Sequence, residues 1–74
     1  MQVSTARELG SAIRAERLRH GFSQERLAAA AGVGARFVVE LESGKPTAEV
    51  DKALAVANAV GLSVNVSSTG TDDA

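Results

Sequence analysis

The sequence predicts a mainly α domain: four helices, two of them short and joined by a tight turn, followed by one C-terminal β-strand. Three observations predict it. Apolar residues recur at helical spacing up to Val60, in runs that start at cap residues and stop at glycines. Within FSQERLAAAAGVGARFVVELESGKPT, two short helical runs are separated by a turn at Gly32. Beyond Gly61 the period changes to two, with Leu62, Val64 and Val66 alternating with Ser63, Asn65 and Ser67, the pattern of a half-buried strand.

The first helix is expected from about Thr5 to Arg19, starting at the Ser4 and Thr5 cap signals and stopping before Gly21. Its buried stripe is Leu9, Ile13 and, four residues on, Arg17. A guanidinium on that stripe needs a partner, because an unpaired buried charge is costly. Glu42, beside the apolar face set by Val38 and Leu41, is the natural counter-charge; the alternative is that both side chains reach out to water. In the second helix Ser23 caps just before Gln24, Leu27, Ala28 and Ala31 go inward, and Gly32 breaks the run. After a turn of three or four residues, helix resumes near Gly34 or Ala35 and ends at Ser43 and Gly44. Two short helices with a glycine-bearing turn between them can pack at a steep angle, leaving the second free to enter a major groove: a helix-turn-helix.

Pro46 closes the connection, Thr47 offers a cap, and a fourth helix from about Ala48 to Ala59 is expected to bury Val50, Leu54, Ala57 and Val60. A single strand leaves its backbone groups unpaired, so the strand is expected to pair antiparallel with the same segment of a second chain across a twofold axis. The chain thus divides into a DNA-binding domain (1–61), a dimerisation strand (62–67) with Leu62, Val64 and Val66 as the contact residues, and a polar, acidic tail (68–74) expected to be disordered.

At 74 residues the chain is near the lower limit for burying its own core, and help from a partner is unsurprising. It has no Cys and a single His, which excludes disulfides, thiolate metal sites and histidine clusters. No apolar run approaches the roughly 20 residues of a membrane span, and MQVSTARELG lacks the hydrophobic segment of a secretion signal, so a cytoplasmic setting is expected. The net charge of −1 is unevenly placed. Residues 7–45 carry Arg7, Arg14, Arg17, Arg19, Arg26, Arg36 and Lys45 against five Glu; the remainder carries Lys52 against Glu49, Asp51, Asp72 and Asp73. That modest basic excess suits DNA only if the cations share one face, and it implies few phosphate contacts per protomer.

Residues 9–45 resemble, without insertion or deletion, the helix-turn-helix of the phage-repressor and Cro superfamily, the XRE type, which implies a lambda-repressor-like fold. The ending ELESGKPT, followed by a helix and the strand GLSVNV, is similar to the HipB-like antitoxins of type II toxin-antitoxin systems, whose C-terminal strands pair to form a dimer lid. The resemblance places Gln24 at the start of the second helix, where such proteins touch a phosphate. Free N–H groups at a helix N-terminus form an anion site in any case; the plainer role for Gln24 is to complete the cap begun by Ser23. Ala35, Arg36 and Phe37 fall in the first turn of the third helix, the part that meets base edges in related complexes. Arg36 is the candidate base reader, since its planar fork matches O6 and N7 of guanine; the alternative is a solvated or phosphate-bound arginine.

Ala35 is small enough to admit a base edge or touch a thymine methyl. Phe37 lies off the Val38 and Leu41 face and packs either against the sugar backbone or under the turn. Gly34 departs from the usual Ser or Thr, which weakens the cap by a few tenths of a kcal/mol and removes one phosphate contact. Lys45 is placed for the DNA backbone, with an idle surface lysine as the alternative. His20 is expected near the helix C-terminus rather than on a metal or substrate, and Leu18 points away from the Leu9 and Ile13 stripe, as either a small satellite-core residue or part of a partner surface.

The function these features imply is a dimeric repressor that binds a palindromic operator in double-stranded DNA and acts as the antitoxin of a HipA-like kinase toxin. A stand-alone regulator of the phage-repressor or restriction-controller kind, and a helix-turn-helix interaction module without DNA binding, are the alternatives. No enzyme is expected, and no cofactor, metal or membrane partner: the chain has no phosphate-cradling glycine loop after a strand and no paired titratable constellation.

Overall fold

The computed structural model describes residues 3–47 and 49–64. Four helices follow in order: α1 (Ala6–His20), α2 (Gln24–Ala31), α3 (Ala35–Glu42) and α4 (Val50–Ala59). The local signals act as expected. The Thr5 hydroxyl accepts from the Glu8 amide at 3.0 Å and the Ser23 hydroxyl from the Arg26 amide at 3.0 Å, each satisfying an amide that the first turn of a helix leaves free. At α3, Gly34 supplies extended backbone but no side-chain cap, as its lack of a side chain dictates.

The core is aliphatic: Ile13 from α1, Leu27 and Ala28 from α2, Val38 and Leu41 from α3, and Ala53, Val56, Ala57 and Val60 from the α4 region. Helix α3 packs on both α1 and α2, and α4 packs on α2. Leu9 and Ala31 are only half-buried, at the rim of this core.

The fourth helix departs from expectation. It begins at Val50 rather than at Ala48, and Thr47 turns the chain ahead of it by accepting from the Glu49 amide at 3.0 Å. Val50 and Leu54, expected inside, are 59% and 38% exposed. Two stripes overlap on this helix and share Ala57 and Val60. The stripe Ala53–Val56–Ala57–Val60 follows the i, i+3, i+4, i+7 spacing of a complete helical face, and its alanines let α4 approach α2 closely. The larger Val50 and Leu54 are thereby rotated outward.

The expected strand is absent among the described residues. Leu62, Ser63 and Val64 form no regular structure, while Asn65, Val66 and Ser67 lie outside the described residues. Gly61, at φ 83°, turns the chain back: its amide donates to the Asn58 carbonyl at 3.0 Å, and the Leu62 amide to that of Ala57 at 2.9 Å. This glycine-centred closure uses the Leu62 amide within the chain, and Leu62 and Val64 lean half-buried on their own core. A strand is a property of a pair, and a single chain supplies no partner edge.

Gly10, inside α1, is buried where α1 meets the end of α3. A Cβ built on it overlaps the Leu41 carbonyl oxygen and lies 3.1 Å from that of Glu42. The two backbones are in contact there, an approach only glycine permits.

Candidate nucleic-acid interface

Arg17 and Glu42 form the expected pair. Arg17 Nε donates to Glu42 Oε2 at 2.7 Å and Nη2 to Oε1 at 2.9 Å, a bidentate contact between side chains only 10% and 3% exposed. The remaining nitrogen, Nη1, donates to the Phe22 carbonyl at 2.9 Å. The Glu42 hydrogen bonds raise the Arg17 pKa further above its ordinary value, more than burial lowers it. The pair ties the last turn of α1 to the last residue of α3, with the loop before α2 held alongside.

Gln24 completes this cluster rather than the cap. Its Nε2 donates to Glu42 Oε1 at 3.1 Å, while Ser23 caps α2 alone. Donation to a carboxylate fixes the orientation of the amide, because a carboxylate only accepts. The first residue of α2 is thus joined to the end of α3, and the free amides at the start of α2 sit in a fixed relation to α3.

On α3 the residues sort differently from their order in sequence. Arg36 is 90% exposed in its side chain, the most open of the candidates. Ala35 and Phe37 are half-buried and pack against the core, and Phe37 borders the α3–α4 connection at Lys45, Pro46 and Thr47. Lys52 Nζ stands 5.9 Å above the Phe37 ring, a cation–π contact that joins α4 to α3. Val39, on the same face as Arg36 by its three-residue spacing, is exposed in their stead. Gly34 has open space around it, so a side chain at that position meets nothing. Lys45 is exposed just past the end of α3.

Glu40, which sequence reasoning passed over, joins the two cations. Its Oε2 lies 3.1 Å from Arg36 Nε and 3.4 Å from Lys45 Nζ. The Arg36 hydrogen bond above all, opposed by desolvation and aided to a lesser degree by Lys45, holds the Glu40 carboxyl below its ordinary pKa. The i, i+4 spacing from Arg36 was the signal for this contact. The open face of α3 is therefore Arg36, Val39 and Glu40, with Lys45 beside it.

At the α1–α2 corner the His20 ring stacks on Phe22 with centroids 5.8 Å apart, and the Arg26 guanidinium lies 5.0 Å from the centroid of the same Phe22 ring. His20 Nε2 is 3.7 Å from Glu16 Oε1, in the last turn of α1. Leu18 is exposed, which disfavours the satellite-core alternative. Among the described residues no group of His, Asp or Glu is arranged to hold a metal ion, and no helix is long and apolar enough to cross a membrane.

Comparison with known proteins agrees with this geometry. A family model described as helix-turn-helix matches residues 13–66, which takes in the Arg17–Glu42 pair, α2, α3 and α4. The chain is 39% identical over 69 residues to the uncharacterized HTH-type transcriptional regulator y4mF of Sinorhizobium fredii (strain NBRC 101917 / NGR234). The match covers 93% of this chain and 91% of that relative.

Proposed function

We propose, because this chain belongs to the helix-turn-helix family, that it is a DNA-binding transcription regulator acting as a dimeric repressor on a palindromic operator. The observation that carries this reading is the open face of α3: Arg36, Val39 and Lys45 are exposed together, while Ala35, Phe37 and Val38 pack on the core. Arg36 supplies a planar donor fork for a guanine edge, Val39 an apolar contact for a thymine methyl, and Lys45 a charge for phosphate. The start of α2, held beside α3 by Gln24, supplies amides for a second phosphate.

Arg36→Ala is expected to relax discrimination at one base pair in each half-site, by about 1 to 3 kcal/mol, and to leave the other positions unchanged. Gln24→Ala is expected to weaken all sequences alike. Half-sites about one helical turn, roughly 34 Å, apart are expected. Selection from a random duplex library followed by footprinting checks both points: equal losses on selected and random DNA for Arg36→Ala demote it to a phosphate contact, and a footprint without dyad symmetry removes the dimer geometry.

The dimer reading is supported by an apolar groove in which exposed Val50 and Leu54 lie with Val3, Leu9 and Val64. Its occupant in this reading is the same groove of a second copy. Leu54→Asp, which disturbs no buried core residue, is expected to shift sedimentation from dimer to monomer and to lower operator affinity, since each half alone makes few phosphate contacts. A Leu54→Asp chain that remains fully dimeric removes this face from the interface.

The antitoxin role is the finer part of the proposal. Its support is the similarity of ELESGKPT and GLSVNV to HipB-like antitoxins. Native mass spectrometry of the chain purified with the product of its neighbouring reading frame tests it: a stable complex with a HipA-like kinase supports the antitoxin role, and free dimer alone favours a stand-alone regulator.

A further inference from the structure

We infer that Glu40 is a specificity-determining residue of the α3 face: it shields Arg36 and Lys45 from indiscriminate phosphate binding and aims Arg36 at a base edge. The inference rests on the DNA reading proposed above and says how that face discriminates.

One oxygen, Glu40 Oε2, is within 3.4 Å of both cations. The backbone of the same residue holds the connection that carries Lys45: the Glu40 carbonyl accepts from the Lys45 amide at 3.1 Å and from the Ser43 hydroxyl at 2.7 Å. That main-chain contact sets where Lys45 starts whatever side chain residue 40 carries, and the carboxylate acts on its charge. Among the described residues Arg36 is bound through Nε alone. Its two terminal nitrogens remain free, and they are the pair whose spacing matches the O6 and N7 acceptors of guanine. Holding Nε before contact reduces the rotamer freedom lost when the fork engages a base.

The charge acts in the opposite sense on random sequence. Non-specific binding follows the net positive field offered to phosphates, and a carboxylate between two cations cancels one of their two charges. An exposed ion pair of this kind adds little to stability, so the effect of Glu40 belongs to binding and not to folding. Shielding lowers the affinity for every sequence, whereas orientation restores affinity only where a guanine edge receives the fork. Together they widen the gap between operator and random DNA.

The test uses the full chain and its Glu40→Gln variant, which keeps the shape and removes the charge. The probes are a duplex enriched by the wild-type chain from a random library and a random-sequence duplex of equal length, titrated between about 50 and 200 mM salt. Glu40→Gln is expected to bind the random duplex about tenfold tighter near 50 mM salt, with the slope of log K against log salt steeper by about one. Affinity for the enriched duplex is expected to rise less, so the specificity ratio falls several-fold. In an Arg36→Ala background the same change is expected to steepen the salt slope without lowering the ratio further. An unchanged unfolding midpoint shows that the variant is folded. If the wild-type chain selects a duplex but Glu40→Gln leaves slope and ratio unaltered, the role of Glu40 is overturned and the DNA reading stands. If the wild-type chain enriches no duplex and shows no salt-dependent binding, the DNA reading fails, and this inference with it.

Discussion

Arg17→Ala is expected to lower the unfolding free energy by about 3 kcal/mol, against a change within experimental scatter for Arg14→Ala on the exposed side of the same helix. The asymmetry follows from what remains. Without Arg17 the Glu42 carboxylate, 3% exposed in its side chain, keeps only the 3.1 Å hydrogen bond from Gln24, and the Phe22 carbonyl loses its guanidinium donor. A buried carboxylate with one neutral donor is an uncompensated charge. Replacing both members, as Arg17→Met with Glu42→Leu, is expected to cost less than either single change, because two desolvated charges disappear together. Urea unfolding at a fixed protomer concentration measures all four chains and keeps any dimer contribution constant. If the Arg17→Ala midpoint matches that of Arg14→Ala, the pair contributes nothing to the fold.

Gly10→Ala is expected to destabilise by about 3 kcal/mol, at the upper end of what overpacking a well-filled contact costs. The direction is the reverse of what helix propensity alone dictates, since alanine in a helix interior is favoured over glycine by about 1 kcal/mol. At Gly10 the added methyl meets backbone, the carbonyls of Leu41 and Glu42, which have no flexible end to move aside. Relief requires α3 to shift as a unit away from α1. That shift stretches the 2.7 Å and 2.9 Å contacts between Arg17 and Glu42, so the clash and the ion pair fail together. Ser11→Ala, one residue along and exposed, is the control and is expected to stabilise slightly. A Gly10→Ala chain as stable as Ser11→Ala removes the close approach of α1 to α3.

Much of the fold was legible in the chain because its signals act over a few residues. Thr5 and Ser23 cap the helices that follow them because a hydroxyl reaches only an amide three residues on. The stripes Leu9–Ile13–Arg17 and Val38–Leu41–Glu42 identified a charge of each sign beside apolar neighbours, and burial without a partner is expensive enough that pairing was the economical outcome. The candidate site was legible in part. Arg36 and Lys45 stand exposed, but Ala35 and Phe37 turn inward, Val39 turns outward, and Gln24 serves Glu42 rather than the cap.

The sequence by itself determined the four helices, the glycine turn of the helix-turn-helix and the partnership of Arg17 with Glu42, since each depends on hydrogen bonds, steric limits or charge costs that the local pattern specifies. Only the tertiary structure decided which of two overlapping stripes on α4 faces inward, which residues of α3 remain open, and that Gly10 marks a backbone contact. Those outcomes depend on how closely helices remote in sequence approach and at what rotation, and a helical period fixes neither distance nor angle between two helices. The segment after Gly61 shows the same division. Its alternation marks residues able to form a strand, but a strand requires a neighbouring edge, and within one chain Leu62 and Val64 instead lean on the core that α4 has already closed.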